Sequence, residues 1–551
     1  MSWRYQGGHA LLRTVVAPQA AAFRRASGQL EKTQRRLLHS LLADVSRSSA
    51  GVDRHWRWED FARALPVTDY GYWRGAIDQQ RCGASALIDS PVMRYQPTSG
   101  STSAIKWIPY SARFLAELDR AIAPWLSDLY RGFPAIRRGT HYWSLSWVPT
   151  EMREQLHGHI NDDMKLLSGG KRLLASMTQG VPESVSLASS SADSLFATLA
   201  WLVADQDLAV ISVWSPTFAL TLLERLSDWR DELVEVLANG DWGPREPHMA
   251  GIRPPRAAHR AALLRAWDGR LDENFLRSLW PRLALISAWD TAFARPWARR
   301  LASLFPHVGF QGKGLWTTEG VVTIPFRGRH LLACRSHVYE FEDLETGQIL
   351  PPWQLRVGQQ VSPLISTGSG LLRYRIEDVL SVTGHLHETP AFEFLGRRNT
   401  CDLVGEKLST LQAQQVLDAV DFPAGSRPVT LLALENANAG ASQPDSRPGY
   451  VLLLEGRLEQ QALRALASQV ERRLCEHFHY QVARNIGQLV AVQVMAAPDM
   501  HRLYIRECQR RGMIEGNIKI EPLRFWQGNL PDVLRTTLPQ QTVELGQPCT
   551  I

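Results

Sequence analysis

Apolar positions set the first expectations. Leu37, Leu38, Leu41, Leu42 and Val45 recur at intervals of three and four in LEKTQRRLLHSLLADV, with charged and polar residues between them. That period gathers apolar side chains on one face of an α-helix. Alanine and leucine keep the same spacing upstream, so two helices are expected across residues 9–45, packed on the outside of a larger domain. Later the apolar runs shorten. LAVISVW (208–214), LALISAW (283–289) and VVTIPF (321–326) are brief and partly β-branched, with helical segments between them. This alternation predicts an α/β fold with a parallel or mixed sheet.

Between residues 330 and 395 the pieces HVYEF, LRYRI, LSVTG and AFEFLG follow one another closely, separated by turn residues, which predicts a mainly antiparallel β subdomain. After GRRNTCDLVGEKLS, the strands VTLLAL and YVLLLEG flank the loop NANAGASQPDSRPG, and a helix over 457–475 sets Leu463, Leu466, Val470 and Leu474 on one face. These elements make a small α+β domain. The expected organisation is a large domain over 1–398 and a small one over 399–551, with a hinge at about 397–408.

Composition narrows the class. A chain of 551 residues, 44% hydrophobic and 21% charged, has globular rather than disordered usage and room for two to four domains. The stretch LFATLAWLVADQDLAVISVW is cut by Asp205 and Asp207 before it reaches the ~20 residues a membrane helix needs, so no span is expected. Arg13 interrupts the only apolar patch near the N-terminus and no small-residue cleavage site follows, so a cytoplasmic protein is expected. The six cysteines, Cys82, Cys334, Cys401, Cys475, Cys508 and Cys549, form no C-x-x-C pair and are read as reduced thiols. A net charge of +6 is spread without a basic run, which points away from nucleic acid and towards a surface that attracts small anions.

Lysine is scarce. Only Lys32, Lys106, Lys165, Lys171, Lys313, Lys407 and Lys519 occur among the 61 basic residues. Guanidinium and ammonium are not interchangeable, so each lysine is a functional candidate; random survival in an arginine-rich chain accounts better for Lys32, Lys165 and Lys171.

The segment PTSGSTSAIKWIPYS (97–111) crowds small hydroxyl residues around Gly100 ahead of Lys106. Backbone N–H groups and short hydroxyls in a tight turn suit phosphate oxygens. It is not a Walker A loop, since no second glycine precedes Lys106 and no hydroxyl follows it; a solvated turn is the plain alternative. In QGKGLWTTEG (311–320), Thr317 and Thr318 precede Glu319, whose carboxylate suits Mg2+, a hard ion that often takes one or two carboxylates plus substrate phosphates. An N-capped helix start or a surface turn reads the same residues without chemistry. In LLRYRIEDVLSVTGH (371–385), Asp378 follows a strand pattern and could accept both hydroxyls of a ribose, or serve as an ordinary turn aspartate.

These three segments, in this order and followed by PAFEFLGRRNTCDLVGEKLS with Arg397 and Lys407, resemble the adenylate-forming acyl-acid amido synthetases related to the plant auxin-responsive Gretchen Hagen proteins. The resemblance extends over nearly the whole chain through DFARALPVTDYGYW, SVWSPTFALTLL, LWPRLALISAWD, KGLWTTEGVVTIPF and YQVARNIGQL, and suggests a bacterial member. It implies a large N-terminal adenylate-forming domain that binds ATP and a carboxylic acid, and a small mobile C-terminal domain. It also implies the reaction: the acid attacks the α-phosphate, pyrophosphate leaves, and an amine, expected to be an amino acid, displaces AMP. Thr98, Ser99 and Thr102 would meet phosphate, with Lys106 in the same motif. Thr318 and Glu319 would serve nucleotide and Mg2+, Asp378 the ribose, with Phe394 and Arg397 beside it. Lys407 in the hinge motif and Lys519 in GNIKIEPLRF would be catalytic, and Trp289, with helices in 112–130 and 190–230, would line the acid pocket.

The chain departs from the family pattern at Ser103-Ala104, at Glu377 where glycine is usual, and at the loose IKIEPLR ending. A thioester ligase acting on coenzyme A or a carrier protein shares the adenylation step, and a noncatalytic relative would retain ligand binding alone. The expected partners are small molecules, with no nucleic acid or membrane, and a monomer is compatible with this reading.

Overall fold

The computed structural model describes residues 2–534 apart from 48–50, 84–86, 99–105, 146, 148–174, 250, 399, 438–446, 512, 514–517, 529 and 531–533. The chain divides into two compact units, Met1–Phe394 and Leu395–Ile551.

The first unit opens with helices Ser2–Ser27 and Leu30–Val45, the pair expected from the periodicity. Leu12, Val16 and Phe23 of the first are buried in the same core as Phe114, Leu118, Ile122, Trp125 and Leu129 of helix Ala112–Gly132. That long helix starts where Ser111 caps it, its hydroxyl accepting from the Phe114 N–H at 3.0 Å. Its apolar stripe at three- and four-residue spacing then faces inwards.

Four parallel strands follow in the order Thr140–Trp143, Leu208–Ser212, Leu285–Ala288 and Gly309–Gly312. LAVIS is buried at every position, as a parallel strand covered on both faces requires. The third apolar run lies elsewhere. VVTIPF contributes Thr323–Phe326 to an eight-stranded antiparallel sheet, pairing with Arg329–Leu332 through a turn in which Arg327 and Gly328 have φ of 51° and 72°. Two positive φ values in a two-residue loop mark a hairpin of the primed type, and that turn, rather than the apolar run, decides the sheet. The rest of the antiparallel sheet comprises Val338–Asp343, Ile349–Leu350, Gln360–Ser366, Tyr374–Arg375, Asp378–Leu386 and Thr389–Arg397.

The second unit carries a four-stranded sheet in the order Gln493–Ala497, Gly449–Glu455, Arg427–Leu434 and Leu523–Trp526, antiparallel at its centre and parallel at both edges. Helix Gln460–Cys475 buries Leu466, Val470 and Leu474, with Leu463 only half-buried. Cys82, Cys334, Cys401 and Cys508 are free thiols, whereas Cys475 is disulfide-bonded, which corrects the expectation that all six are reduced. No helix among the described residues is long and apolar enough to cross a membrane.

Candidate active site

Glu319 sits at the tip of a very tight hairpin. Trp316–Thr317 pairs with Gly320–Val321, leaving Thr318 and Glu319 between them, and the Thr317 hydroxyl donates to the Gly320 carbonyl at 3.2 Å. Its base admits no side chain at Gly314, where a Cβ would fall 2.1 Å from the Thr323 carbonyl oxygen. The base is tied by Leu315 N–H to Thr323 Oγ1 at 2.7 Å and by Trp316 Nε1–H to the Thr323 carbonyl at 3.0 Å.

Two motifs distant in sequence converge on this tip. From strand Lys106–Ser111, the Tyr110 hydroxyl donates to the Thr318 carbonyl at 3.0 Å. From the YRIED segment, the Tyr374 hydroxyl approaches Glu319 Oε1 at 3.4 Å. Both phenols are pushed above the ordinary tyrosine range, chiefly by burial; the Glu319 charge adds to the effect, and beside Tyr110 the Arg94 guanidinium opposes it. Both therefore remain hydroxyl donors at neutral pH.

Tyr374 is delivered by its neighbour. Arg373 has φ of 47° and a buried guanidinium that grips Glu340 at 2.8 and 3.0 Å and donates to the carbonyls of Ala62, at 2.6 Å, and Leu65. Thr68 bonds the same segment from the other side, its N–H to the Arg373 carbonyl at 3.0 Å and its carbonyl to Arg375 N–H at 2.9 Å. The segments DFARALPVTDY and LLRYRIED are thus one structural piece. Asp378 is buried and begins the next strand, while Glu377 is exposed and points its charge outwards.

The hydroxyl loop springs from a hairpin of Val92–Thr98 and Lys106–Ser111, with Thr98 opposite Lys106. Ser99 and Thr102 lie outside the described residues, and of Thr98 only the backbone is described. Lys106 Nζ stands 5.7 Å from the centre of the Tyr70 ring, whose hydroxyl accepts from Trp107 N–H at 2.8 Å. The loop's lysine is thereby held at the strand end, against helix Tyr70–Arg81.

Trp289 is half-buried, its indole N–H on the Gly314 carbonyl at 3.3 Å and its ring 5.8 Å from Trp214. Trp214 in turn contacts Trp316, three residues before Glu319, at 5.4 Å. Lys313 is buried beneath these rings, its Nζ 4.1 Å from the centre of Trp214 and 5.8 Å from that of Trp125. Asp290, next to Trp289, lies over Gly312 and is raised above the usual carboxylate range by burial. Phe394 is half-buried and meets Phe293 edge-on at 6.3 Å.

The remaining candidates belong to the second unit. Arg397 pairs with Glu521 at 3.5 Å. Lys407 is exposed, with φ of 47°, at the end of the loop joining Thr400–Cys401 to Leu408–Ser409. Its neighbour Glu406 is buried and accepts from the N–H groups of Leu403, at 2.9 Å, and Val404, at 2.8 Å, and from the Tyr450 hydroxyl. Lys519 is half-buried between the fully buried Ile518 and Ile520.

At the hairpin tip the first-unit groups offer the Glu319 carboxylate with convergent hydroxyls, and Lys106 adds an ammonium beside the hydroxyl-rich loop. No cluster of three or more metal-ligating side chains occurs among the described residues. A single carboxylate therefore suits a magnesium ion whose other ligands are phosphate oxygens and water, and does not suit a cage made of protein alone. Sequence reasoning missed Tyr70, Tyr110, Tyr374 and His337, whose Nε2 accepts from the Val321 N–H at 3.2 Å. Tyr374 could have been flagged, since it lies four residues before Asp378 in a motif already singled out.

Comparison with known proteins bears on this arrangement. Residues 19–310 match the GH3 family N-terminal domain and residues 330–397 the GH3 family central domain. Indole-3-acetic acid-amido synthetase GH3.15 of Arabidopsis thaliana is 21% identical over 381 residues, 62% of this chain and 63% of that protein. The alignment thus spans less than two thirds of that relative's length. Indole-3-acetic acid-amido synthetase GH3.17 of the same plant is 30% identical over 142 residues, 24% of this chain and 23% of that protein. The solved structure of GH3.15 acyl acid amido synthetase superposes with a TM-score of 0.75 at 15% identity, covering 94% of this chain and 95% of that one, so the two share a fold. With the N-terminal domain match alone spanning more than half its length, the chain belongs to the GH3 family.

Proposed function

We propose that the protein is an ATP-dependent acyl-acid amido synthetase. The observation that carries this reading is the meeting of Tyr110, from the strand after the hydroxyl loop, and Tyr374, from the YRIED segment, on the Thr318–Glu319 tip. In the first half-reaction a carboxylate oxygen attacks the α-phosphorus of ATP and pyrophosphate departs. In the second an amine nitrogen attacks the acyl carbon, AMP leaves with the bonding electrons, and the amine proton is released. Charge on the phosphate oxygens rises in the first step, and preorganised cations and donors stabilise it where water is excluded. Lys106 serves the phosphates from the loop side, Asp378 holds the ribose, and Phe394 and Arg397 border the nucleotide pocket. Glu319 would hold magnesium, which supplies charge neutralisation on the phosphates.

Trp289, with the tryptophan rings around it, lines the acid pocket. The second unit supplies Lys519 during adenylation and re-orients about the Lys407 loop before amide formation. A left-handed residue at the end of that loop supports its role as the hinge. The reading also includes a cytoplasmic setting, a bacterial source and a monomer.

The test is acid-dependent exchange of pyrophosphate into ATP, followed by an acid-by-amine screen scored on AMP release. Exchange with amide formation bears the reading out. Product only with coenzyme A would make the protein a thioester ligase, and nucleotide binding without exchange would make it a noncatalytic relative.

A further inference from the structure

Against the Glu319 hairpin, with Phe114 between its imidazole and Tyr110, lies a buried pair with no part in the chemistry above. His337 and Glu117 are 1% and 3% exposed, and His337 Nδ1 stands 2.9 Å from Glu117 Oε2. The other ring nitrogen, Nε2, lies 3.2 Å from the backbone nitrogen of Val321, two residues after Glu319. A backbone N–H can only donate, so Nε2 must carry the lone pair and Nδ1 the proton, which is donated to Glu117. The carboxylate therefore selects the tautomer, and the tautomer creates an acceptor for the hairpin.

The carboxylate is itself fixed. Glu117 accepts from Gly368 N–H at 2.8 Å and from Arg113 Nε–H at 3.2 Å, and Arg113 also pairs with Asp44. The imidazole is stacked on Phe114 with ring centres 5.6 Å apart, and it leaves no room for a side chain at Gly320, where a Cβ would come within 3.0 Å of Nε2. Val321 is 1% exposed, so without His337 its N–H would be a buried donor with no acceptor on that side. The hairpin is only two residues long at its tip, and any rotation of the Gly320–Val321 strand swings Glu319 with it.

We infer that His337, held in one tautomer by Glu117, is a positioning residue that aims the Glu319 carboxylate by anchoring the Val321 N–H. The inference rests on the reading of Glu319 as the group that serves MgATP. Two amide substitutions separate the contacts. In His337→Gln the side-chain oxygen reaches the place of Nε2 and keeps the acceptor for Val321. In His337→Asn the amide N–H replaces Nδ1–H towards Glu117, but nothing reaches Val321.

The full-length variants are compared with the unaltered protein in two measurements. Backbone hydrogen exchange at Val321 should accelerate at least tenfold in His337→Asn and stay within about threefold in His337→Gln. In acid-dependent pyrophosphate exchange, His337→Asn should raise the KM for MgATP and the magnesium midpoint roughly tenfold while the KM for the acid stays within twofold; His337→Gln should largely restore both. Equal effects of the two variants in either measurement overturn the inference, as does an Asn defect shared by the acid KM. If the unaltered protein shows no pyrophosphate exchange, the functional reading fails, and hydrogen exchange alone decides whether His337 anchors the turn.

Discussion

Two charged hairpin loops, one in each unit, are held in opposite ways. The Thr318–Glu319 tip is fixed from outside by Tyr110 and Tyr374, 208 and 55 residues away in the chain, and by His337 against Val321. The Lys407 loop is fixed chiefly from within: Glu406 accepts from Leu403 and Val404, Asp402 accepts from Gly405 N–H at 2.6 Å, and Tyr450 is the distant partner. A tip with remote buried partners cannot move without breaking a packed core. A loop stitched mostly by its own residues keeps those hydrogen bonds when it changes direction and has to give up only the one from Tyr450 to Glu406. The proposed roles need this difference, a stationary carboxylate in one unit and a pivot in the other.

The comparison is broken most severely by removing the fixed carboxylate. Glu319→Ala is expected to lower pyrophosphate exchange on the order of 100-fold or more. The melting temperature should hardly move, because the side chain is half-buried and the tip keeps its backbone bonds to Tyr110 and His337 without it. Wild-type exchange with an unchanged magnesium requirement would remove Glu319 from the metal site.

Asp378→Ala tests the same unit at the nucleotide. The loss of charged hydrogen bonds, about 1.5–3 kcal/mol, should raise the KM for ATP roughly tenfold to a hundredfold and leave the acid KM near its original value. A selective rise in the acid KM would assign Asp378 another role.

The second unit is tested through its two lysines. Lys519→Ala should slow acid-dependent pyrophosphate exchange about tenfold, yet supplied acyl adenylate should still give amide with an amine at a comparable rate, because the charge this lysine is proposed to meet builds at the α-phosphate while pyrophosphate leaves, in the first step. Equal losses in both halves would contradict an adenylation role. At Lys407 the substitutions to Ala and Gly should diverge: both remove the ammonium, but glycine adopts positive φ freely, relieving a cost of about 1 kcal/mol. If the backbone bend is what matters, Lys407→Gly should support amide formation better than Lys407→Ala and melt at a higher temperature. Identical rates would mean that the side chain alone is used.

The smallest effect is expected at Tyr110→Phe, which deletes one hydrogen bond to the Thr318 carbonyl and should cost about 1 kcal/mol in a denaturant titration. A change in the magnesium midpoint larger than that of His337→Asn would transfer the main positioning role from the histidine to the tyrosine.

Local pattern determined a good deal by itself. The helices Ser2–Ser27 and Leu30–Val45, the parallel strands at 208–212 and 285–288, and the helix ending at Cys475 follow from side-chain periodicity, a property of each segment alone. Glu319, Asp378 and the lysines stood out as candidates because carboxylates and ammonium groups in short motifs are visible in residue type alone. What the sequence could not decide was whatever depends on which segments meet. VVTIPF joined the antiparallel sheet because a two-residue turn folds it onto Arg329–Leu332. Tyr110, Tyr374 and the Glu117–His337 pair became part of the site only through the approach of residues as much as 220 positions apart. Which hydroxyl reaches which carbonyl, and which tautomer a buried imidazole must adopt, are set by three-dimensional packing, since a hydrogen bond requires a partner within about 3 Å and no local pattern names it.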